Sequence, residues 1–283
     1  LARPLLVAAT VGEEGPGDLR GVKHLFRPGG PCEAVHGFVS VDGAGLRRIV
    51  TRAVGSRRYR VCVRGRGGHS WADFGTPNPI HALGRALAEL AVAPLPSAPR
   101  ATLTVARIGG GTAVNAIPME AWAEVDTRSE DPAHLDALEA LVRGACARGV
   151  AAERAAAQGA RGELALEIEV MGDRPAGATD SDHPLVRAAE RATRAVGVEP
   201  ERVASSTDAN VPMALGLPAV TVGGGGEAGG AHTTGEWYRN AGGPEGVVRL
   251  LLLVAAVAGR DPWPDANAEA AAPRVAAGED ERR

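Results

Sequence analysis

The feature that most constrains the fold is a change of hydrophobic period between Arg57 and Met171. Apolar residues alternate with polar ones in four segments, and they recur at helical spacing in two longer ones. The predicted strands cover 59–64, 100–108, 117–127 and 163–171, and the predicted helices cover 77–92 and 132–158. The resulting order, β-α-β-β-α-β, predicts a split βαβ (ferredoxin-like) unit, in which two helices cover a four-stranded antiparallel sheet.

The segments on both sides of this unit have a different pattern. Short apolar runs bounded by Gly, Pro or Asp are typical of buried strands in α/β proteins. They occur at 4–10, 34–41 and 219–222, and helices are predicted over 183–196 and 244–258. We therefore predict an α/β fold class, with one layer built from residues 1–56 and 172–259 and a separate domain inserted at 57–171. Residues 260–283 lack periodicity, so we expect a disordered tail.

The composition is that of an ordinary globular chain, with 45% hydrophobic and 23% charged residues among 283. The formal net charge of −3 implies no basic surface, so we expect no nucleic-acid partner. The longest apolar run, 247–259, contains Arg249 and is too short to span a membrane, so we interpret it as a buried helix. The 3 cysteines form no C-x-x-C pair, which favours a reducing compartment and a cytoplasmic location.

Acidic residues follow two of the predicted strands. Glu13 and Glu14 lie in Val-Gly-Glu-Glu-Gly, and Asp42 lies in Ser-Val-Asp-Gly. Adjacent side chains of an extended segment point to opposite sides, so one glutamate can bind a metal while its neighbour faces the metal-bound water as general base. Asp42 is either a turn residue or a hard oxygen ligand. The alternative for all three is a solvated acidic turn.

Three further segments carry polar residues suited to a site. His232 follows a glycine-rich loop, whose backbone N–H groups can face a developing oxyanion. In the inserted domain, His69 stands between glycines and Trp71, and Asn115 and Arg128 lie at opposite ends of one predicted strand. An arginine fork suits a substrate carboxylate. The alternative is that these are surface, capping or ion-pairing residues.

Motifs of several common enzyme classes are missing from the sequence. It contains no G-x-S-x-G, no G-x-x-x-x-G-K-[ST] and no dinucleotide-binding fingerprint. These absences argue against the common serine hydrolases, phosphate-binding loops and nicotinamide enzymes. Metal-assisted hydrolysis is the interpretation that remains.

Eight ordered motifs resemble those of one family, the M20 zinc metallopeptidases and N-acyl-amino-acid deacylases, over residues 5–258. They are Val-Gly-Glu-Glu-Gly (11–15), Gly-Asp-Leu-Arg-Gly (17–21), Val-Asp-Gly (41–43), Gly-Gly-His-Ser-Trp-Ala-Asp-Phe-Gly (67–75), Val-Asn-Ala-Ile-Pro (114–118), Asp-Thr-Arg-Ser (126–129), Ser-Thr-Asp-Ala-Asn (206–210) and Gly-Ala-His (230–232). The resemblance implies a zinc-peptidase-type catalytic layer interrupted by a lid that serves for dimerisation. Residues 71–75, which follow His69, and the 206–210 segment look nearer to the tripeptidase-like branch, so we favour a peptidase over a deacylase. The resemblance is to a tripeptidase T-like or a carboxypeptidase G-like member.

The resemblance also implies roles for the matching residues. Glu13 is expected to be the general base, Glu14 and His232 to bind one zinc, and Asp42 to bind a second. His69 is expected to reach into the partner subunit's site and stabilise the oxyanion. Asn115 and Arg128 are expected to hold the backbone and the carboxylate of a small peptide or N-acyl amino acid. The implied assembly is a homodimer with two zinc ions in each complete site. Because the longest apolar run is too short to span a membrane, we expect no membrane partner.

One part of the family pattern is missing. Such enzymes carry an upstream His-x-Asp motif and a further aspartate that bridges the two zincs, and neither is present. We therefore expect a catalytic layer that is incomplete at its N-terminus, lacking about the first third of the family's catalytic domain. Neither zinc then reaches three protein ligands, so we expect weak zinc binding and no hydrolysis by this chain as given. A hypothesis of another class is a non-catalytic dimeric remnant.

Overall fold

The computed structural model describes residues 1–157 and 162–259 and has a mixed α/β fold. The helices are α1 (Arg20–Leu25), α2 (Pro79–Ala91), α3 (Pro132–Ala156), α4 (Pro184–Ala195), α5 (Asn210–Ala214) and α6 (Gly243–Ala258). The strands are β1 (Phe38–Val41), β2 (Arg48–Ala53), β3 (Gly55–Arg64), β4 (Gly68–His69), β5 (Ala101–Gly110), β6 (Ala116–Ile117), β7 (Glu120–Ser129), β8 (Ala165–Arg174), β9 (Gly177–Ala178), β10 (Glu201–Ser205), β11 (Ala219–Val222), β12 (Glu227–Gly229) and β13 (Trp237–Arg239). The predicted tail, 260–283, and the last residue of the helix predicted over 132–158 lie outside the described residues.

The split βαβ unit is present and runs from β3 to β8; we call residues 55–174 the lid. Its sheet has the order β5-β7-β3-β8, and all neighbouring strands are antiparallel. Apolar residues of β3 such as Tyr59 and Val61 are fully buried against the helices, while Arg60 on the opposite face donates a hydrogen bond to Glu124. This alternation is what an antiparallel sheet with one covered face requires.

The two lid helices begin where the sequence provides N-caps followed by proline. The Asn78 side chain accepts a hydrogen bond from the Ile80 N–H at 2.9 Å, and Asp131 accepts one from Ala133 at 2.8 Å. Gly149 of α3 lies so close to α2 that a Cβ atom there would be 2.5 Å from the Ala82 carbonyl oxygen. The absence of a side chain therefore allows the helices to pack closely.

The second sheet takes its strands from both sides of the lid in sequence. Its order is β1-β11-β2-β10, with β9 paired to β2. β1 is parallel to β11 and β2 is parallel to β10, whereas β11 and β2 are antiparallel. α4 and α6 pack on this sheet through buried apolar residues, Leu185, Val186 and Leu253 among them. The predicted α/β fold class is thus confirmed, while the domain boundaries predicted at 56/57 and 171/172 remain predictions.

One predicted strand is missing from the structure, and one predicted helix is less buried than expected. No strand forms at 4–10, where Leu5, Leu6 and Val7 are 50%, 54% and 82% exposed. A strand needs a neighbour for its backbone groups, and among the described residues none pairs with this segment. The helix expected to be buried at 247–259 forms as part of α6, but Val247 and Leu251 are exposed because only one side of α6 packs on the sheet.

No helix in the described part of the chain combines the length and apolarity that crossing a membrane requires.

Candidate active site

Four carboxyl groups from three separate segments lie close enough to influence one another electrostatically. They belong to Glu13, Glu14, Asp42 and Asp208. Burial raises the pKa of the Glu13 carboxyl; the nearby Arg174 opposes this shift, while the charges of the other three carboxylates add to it. A carboxyl group whose pKa is raised by its surroundings is a candidate for proton transfer.

The Glu13–Glu14 turn depends on the glycines around it. Gly12 and Gly15 have φ angles of 68° and 46°, in the left-handed region that favours glycine. The Glu14 carbonyl accepts a hydrogen bond from the Gly17 N–H at 2.8 Å, which begins a short 3₁₀ turn at Gly15–Gly17. The Glu13 side chain is 22% exposed, whereas Glu14 lies at the surface. The two neighbours therefore have different surroundings.

Asp42 directly follows β1 and is held at the end of the second sheet. Its backbone N–H donates to the Val222 carbonyl oxygen at 3.0 Å, next to the glycine-rich loop that follows β11. Desolvation raises the pKa of its carboxyl, and the charges of Glu14 and Asp208 act in the same direction. Asp42 thus lies at a strand end, as predicted, and belongs to the carboxylate cluster that it forms with Glu13, Glu14 and Asp208.

Asp208 was not recognised as a site residue from the sequence. It is 6% exposed, and its Oδ2 accepts a hydrogen bond from Thr10 Oγ1 at 2.5 Å. Its Oδ1 is buried and has no hydrogen-bond partner among the described residues. The sequence does contain a signal for Asp208: it lies in the Ser-Thr-Asp-Ala-Asn motif, one of the eight that carry the family resemblance. The motif alone does not assign a role to this aspartate.

Asparagine at position 208 should make the folded protein more stable at neutral pH. Burial raises the pKa of the Asp208 carboxyl, so stability linked to this group is present below its unfolded pKa and is lost as pH rises through its folded pKa. Asp208→Asn should raise the unfolding midpoint at pH 7 by about 2–4 °C, the shift that roughly 1 kcal/mol produces in a domain of this size. Thermal denaturation measures it.

The gain in the unfolding midpoint of Asp208→Asn should vanish at acidic pH, because there the Asp208 carboxyl is protonated and is neutral like asparagine. Asp182→Asn is the matched control, because the Asp182 side chain is 79% exposed. An equal gain in both variants, or a gain that persists in acid, would contradict the explanation by burial.

Two lid residues, His69 and Asn115, lie side by side. β4 pairs with β6 so that His69 faces Ala116, and the Ser70 N–H donates to the Asn115 carbonyl oxygen at 3.0 Å. His69 Nδ1 accepts backbone N–H groups from Trp71 at 3.2 Å and Ala72 at 3.4 Å. Because Nδ1 is an acceptor, the proton of the neutral ring is on Nε2, which is left as a donor.

Arg128 and His232 lie elsewhere. Arg128 is on the solvent-facing side of β7, in register with Ser56 and Thr102, and its guanidinium donates to the Asp126 carboxylate at 2.7 Å. The strand predicted over 117–127 is divided into β6 and β7, so Asn115 and Arg128 do not share one strand. His232 is in the loop between β12 and β13 and has a φ of 65°.

The donor atoms proposed for zinc are only partly assembled. Within residues 1–157 and 162–259, no group of three or more His, Cys, Asp and Glu side chains is arranged to hold a metal ion. Carboxylate oxygens from Glu14 and Asp42 suit a divalent cation, but a catalytic zinc site needs three protein ligands. The residues present therefore do not complete a metal site.

Comparisons with known proteins agree with this architecture. Residues 51–152 match the M20_dimer family model, described as a peptidase dimerisation domain. The comparison with curated proteins found no match.

Three solved structures illustrate the shared fold. Aminopeptidase PepT from Bacillus cereus is 24% identical, with a TM-score of 0.70 over 88% of this chain and 63% of that one. A tripeptidase from Staphylococcus aureus is 20% identical, with a TM-score of 0.69 over the same shares, 88% and 63%. A hydantoinase/carbamoylase family amidase from Burkholderia ambifaria is 26% identical, with a TM-score of 0.56 over 80% and 55%. The chain thus spans less than two thirds of each.

The match and the fold confirm the resemblance found in the sequence motifs. Residues 51–152 match the peptidase dimerisation domain model, and the described chain shares its fold with an aminopeptidase, a tripeptidase and an amidase.

Proposed function

We propose that the protein acts as an M20-type hydrolase that cleaves an amide bond in a small peptide. The observation that carries this proposal is the Glu13 carboxyl, which is half-buried among three other carboxylates and has a raised pKa. Such a group can take a proton from water and later return it. The structural similarity to an aminopeptidase and a tripeptidase supports a peptide substrate.

The proposed mechanism assigns one task to each residue. Glu13 accepts a proton from the water whose oxygen attacks the amide carbonyl carbon, and it then delivers that proton to the departing amine. The Nε2–H of His69 donates to the developing oxyanion in the partner subunit's site. Asn115 and Arg128 bind the backbone and the carboxylate of the substrate.

Zinc is the cofactor that we propose, with Glu14 and His232 for one ion and Asp42 for another. Bound there, zinc would polarise a carbonyl group and lower the pKa of water. Because the described residues complete neither ion's ligand set, no step of the mechanism is assigned to the metal. The carboxylate cluster supports the proposal through the chemistry of its donor atoms.

A homodimer formed through the lid is the assembly that we propose. The match of residues 51–152 to a peptidase dimerisation domain supports it. His69 lies on an exposed lid strand, and its backbone hydrogen bonds within the described part of the lid use Nδ1 rather than Nε2, which supports its reaching a partner's site.

A second candidate is hydrolysis of an N-acyl or N-carbamoyl amino acid. The similarity to a hydantoinase/carbamoylase family amidase favours it, at 26% identity. The same base and oxyanion donor would serve, because both reactions add water to an amide carbonyl.

Hydrolysis and metal content together test the proposed function. We expect residues 1–283 to bind zinc weakly and to cleave neither tripeptides nor N-acyl amino acids. A longer form that supplies an upstream segment with His-x-Asp should do both, with tripeptides preferred. Elemental analysis and amine release provide the measurements. Failure of the longer form to cleave either substrate class would refute the function, and rapid cleavage by residues 1–283 would refute the incomplete site.

A further inference from the structure

The Ser206–Asn210 segment lies at the junction between the lid and the second sheet. Asn210 is fully buried, and its Nδ2 donates to the carbonyl oxygens of Val54 and Pro175, both at 2.9 Å. These two residues immediately precede and follow the lid. The Asn210 Oδ1 accepts the Thr207 N–H at 2.9 Å, which fixes the side chain within its own segment. The single side-chain amide of Asn210 therefore binds the chain both where it enters the lid and where it leaves it.

Arg174, the last residue of β8, extends this junction to Glu13. It is 5% exposed. Its Nη1 donates to Ser206 Oγ at 3.1 Å and to Glu13 Oε1 at 3.3 Å, and its Nη2 donates to the Glu13 carbonyl oxygen at 2.5 Å. Its Nε lies 3.9 Å from Asp18 Oδ1 and has no hydrogen-bond partner among the described residues. The guanidinium thus binds both the side chain and the backbone of Glu13.

We propose that Arg174 is a positioning residue for Glu13, and that through it the orientation of the base depends on the position of the lid. The planar guanidinium fork can hold three acceptors at once, which the single ammonium of lysine cannot do in the same geometry. Base catalysis is sensitive to such placement, since a shift of about 1 Å can cost a factor of about 100. The catalytic part of this inference rests on the proposed function.

Hydrogen exchange in the full chain tests the positioning without requiring activity. Three backbone N–H groups report on the turn: Gly17 bonds to Glu14, Asp18 to Gly15, and Gly21 to Val11. In Arg174→Met, exchange in the peptide covering 11–21 should accelerate about tenfold, while β3 and β7 keep their protection. Arg174→Lys should restore part of the protection, because an ammonium can still bind the Glu13 carbonyl oxygen.

Arg60→Met is the matched control. Arg60 lies on β3 of the lid sheet, where it donates to the Glu124 carboxylate at 2.7 Å and packs over the Trp122 ring, and among the described residues no hydrogen bond or ion pair joins it to residues 11–21. Its loss should accelerate exchange near those partners and leave 11–21 unchanged. Unchanged exchange at 11–21 in Arg174→Met, or loosening of the whole lid, would overturn the assignment.

Turnover provides the second readout, in a zinc-loaded form that hydrolyses a peptide. Arg174→Met should lower kcat about 100-fold and leave KM within about twofold, with partial recovery in Arg174→Lys. A rise in KM with unchanged kcat would overturn the positioning of the base. If no form hydrolyses any amide, the proposed function fails, and the exchange experiment still decides whether Arg174 holds the turn.

Discussion

Glutamine at position 13 should abolish most of the turnover of a hydrolytically active form while leaving its zinc content unchanged. The amide of glutamine keeps an acceptor for Arg174 but cannot take a proton from water. Loss of a general base typically costs about 10²–10⁴-fold in rate. Steady-state kinetics with a tripeptide and elemental analysis on the same sample provide the measurements.

The neighbouring glutamate is the natural comparison for this experiment. Glu14→Gln has the same chemistry at the adjacent residue, but its expected effect is reduced zinc occupancy, and His232→Ala should behave in the same way. Equal metal loss in Glu13→Gln, Glu14→Gln and His232→Ala would show that the two glutamates do not have separate roles. Unchanged turnover in Glu13→Gln would remove Glu13 as the base.

Valine at position 149 should disrupt the lid and, with it, the proposed homodimer. The new Cβ would lie 2.5 Å from the Ala82 carbonyl oxygen and 3.0 Å from the Ala86 nitrogen, so α2 and α3 must move apart. Forcing extra atoms into a packed core typically costs about 1–3 kcal/mol. Urea denaturation of the full chain should show this loss, and sedimentation should show a shift from dimer towards monomer.

Gly144→Val on the same helix is the control for helix propensity. A Cβ atom at Gly144 would meet only the end of the flexible Arg148 side chain, at 3.0 Å. This variant should therefore keep near-native stability and sedimentation. If both variants lose stability equally, close helix packing is not the cause. If the unsubstituted chain sediments only as a monomer, the proposed homodimer is wrong.

The lid was predictable from sequence because its elements are specified locally. The helix predicted over 77–92 is observed as Pro79–Ala91, since Asn78 and Pro79 mark its start and its apolar face has helical spacing. The run at 4–10 has the composition of a buried strand, yet composition does not supply a partner strand. β2 and β10 were missed because charged residues in Arg48–Ala53 and Glu201–Ser205 mask the apolar pattern.

The candidate site likewise contains residues that the local sequence identifies and residues that depend on long-range contacts. Glu13 and Asp42 could be identified because local sequence places them in loops after apolar runs. Asp208 and Arg174 acquire their surroundings through contacts between segments far apart in sequence: Asp208 binds Thr10 and Arg174 binds Glu13. Those contacts arise only once these distant segments are folded together. His232, selected for its chemistry, lies in a loop outside any complete donor group among the described residues.

The double hydrogen bond of Asn210 has a mechanical consequence. Its amide fixes Val54 and Pro175 to one point, and a Cβ atom at Gly55 would come within 2.6 Å of the Ala176 nitrogen, so the two crossings lie almost in contact. Arg174, beside the same crossings, adds a second attachment at Glu13. A rotation of the lid about this corner would move the two crossings least and the residues beyond the far end of β3, such as His69, most.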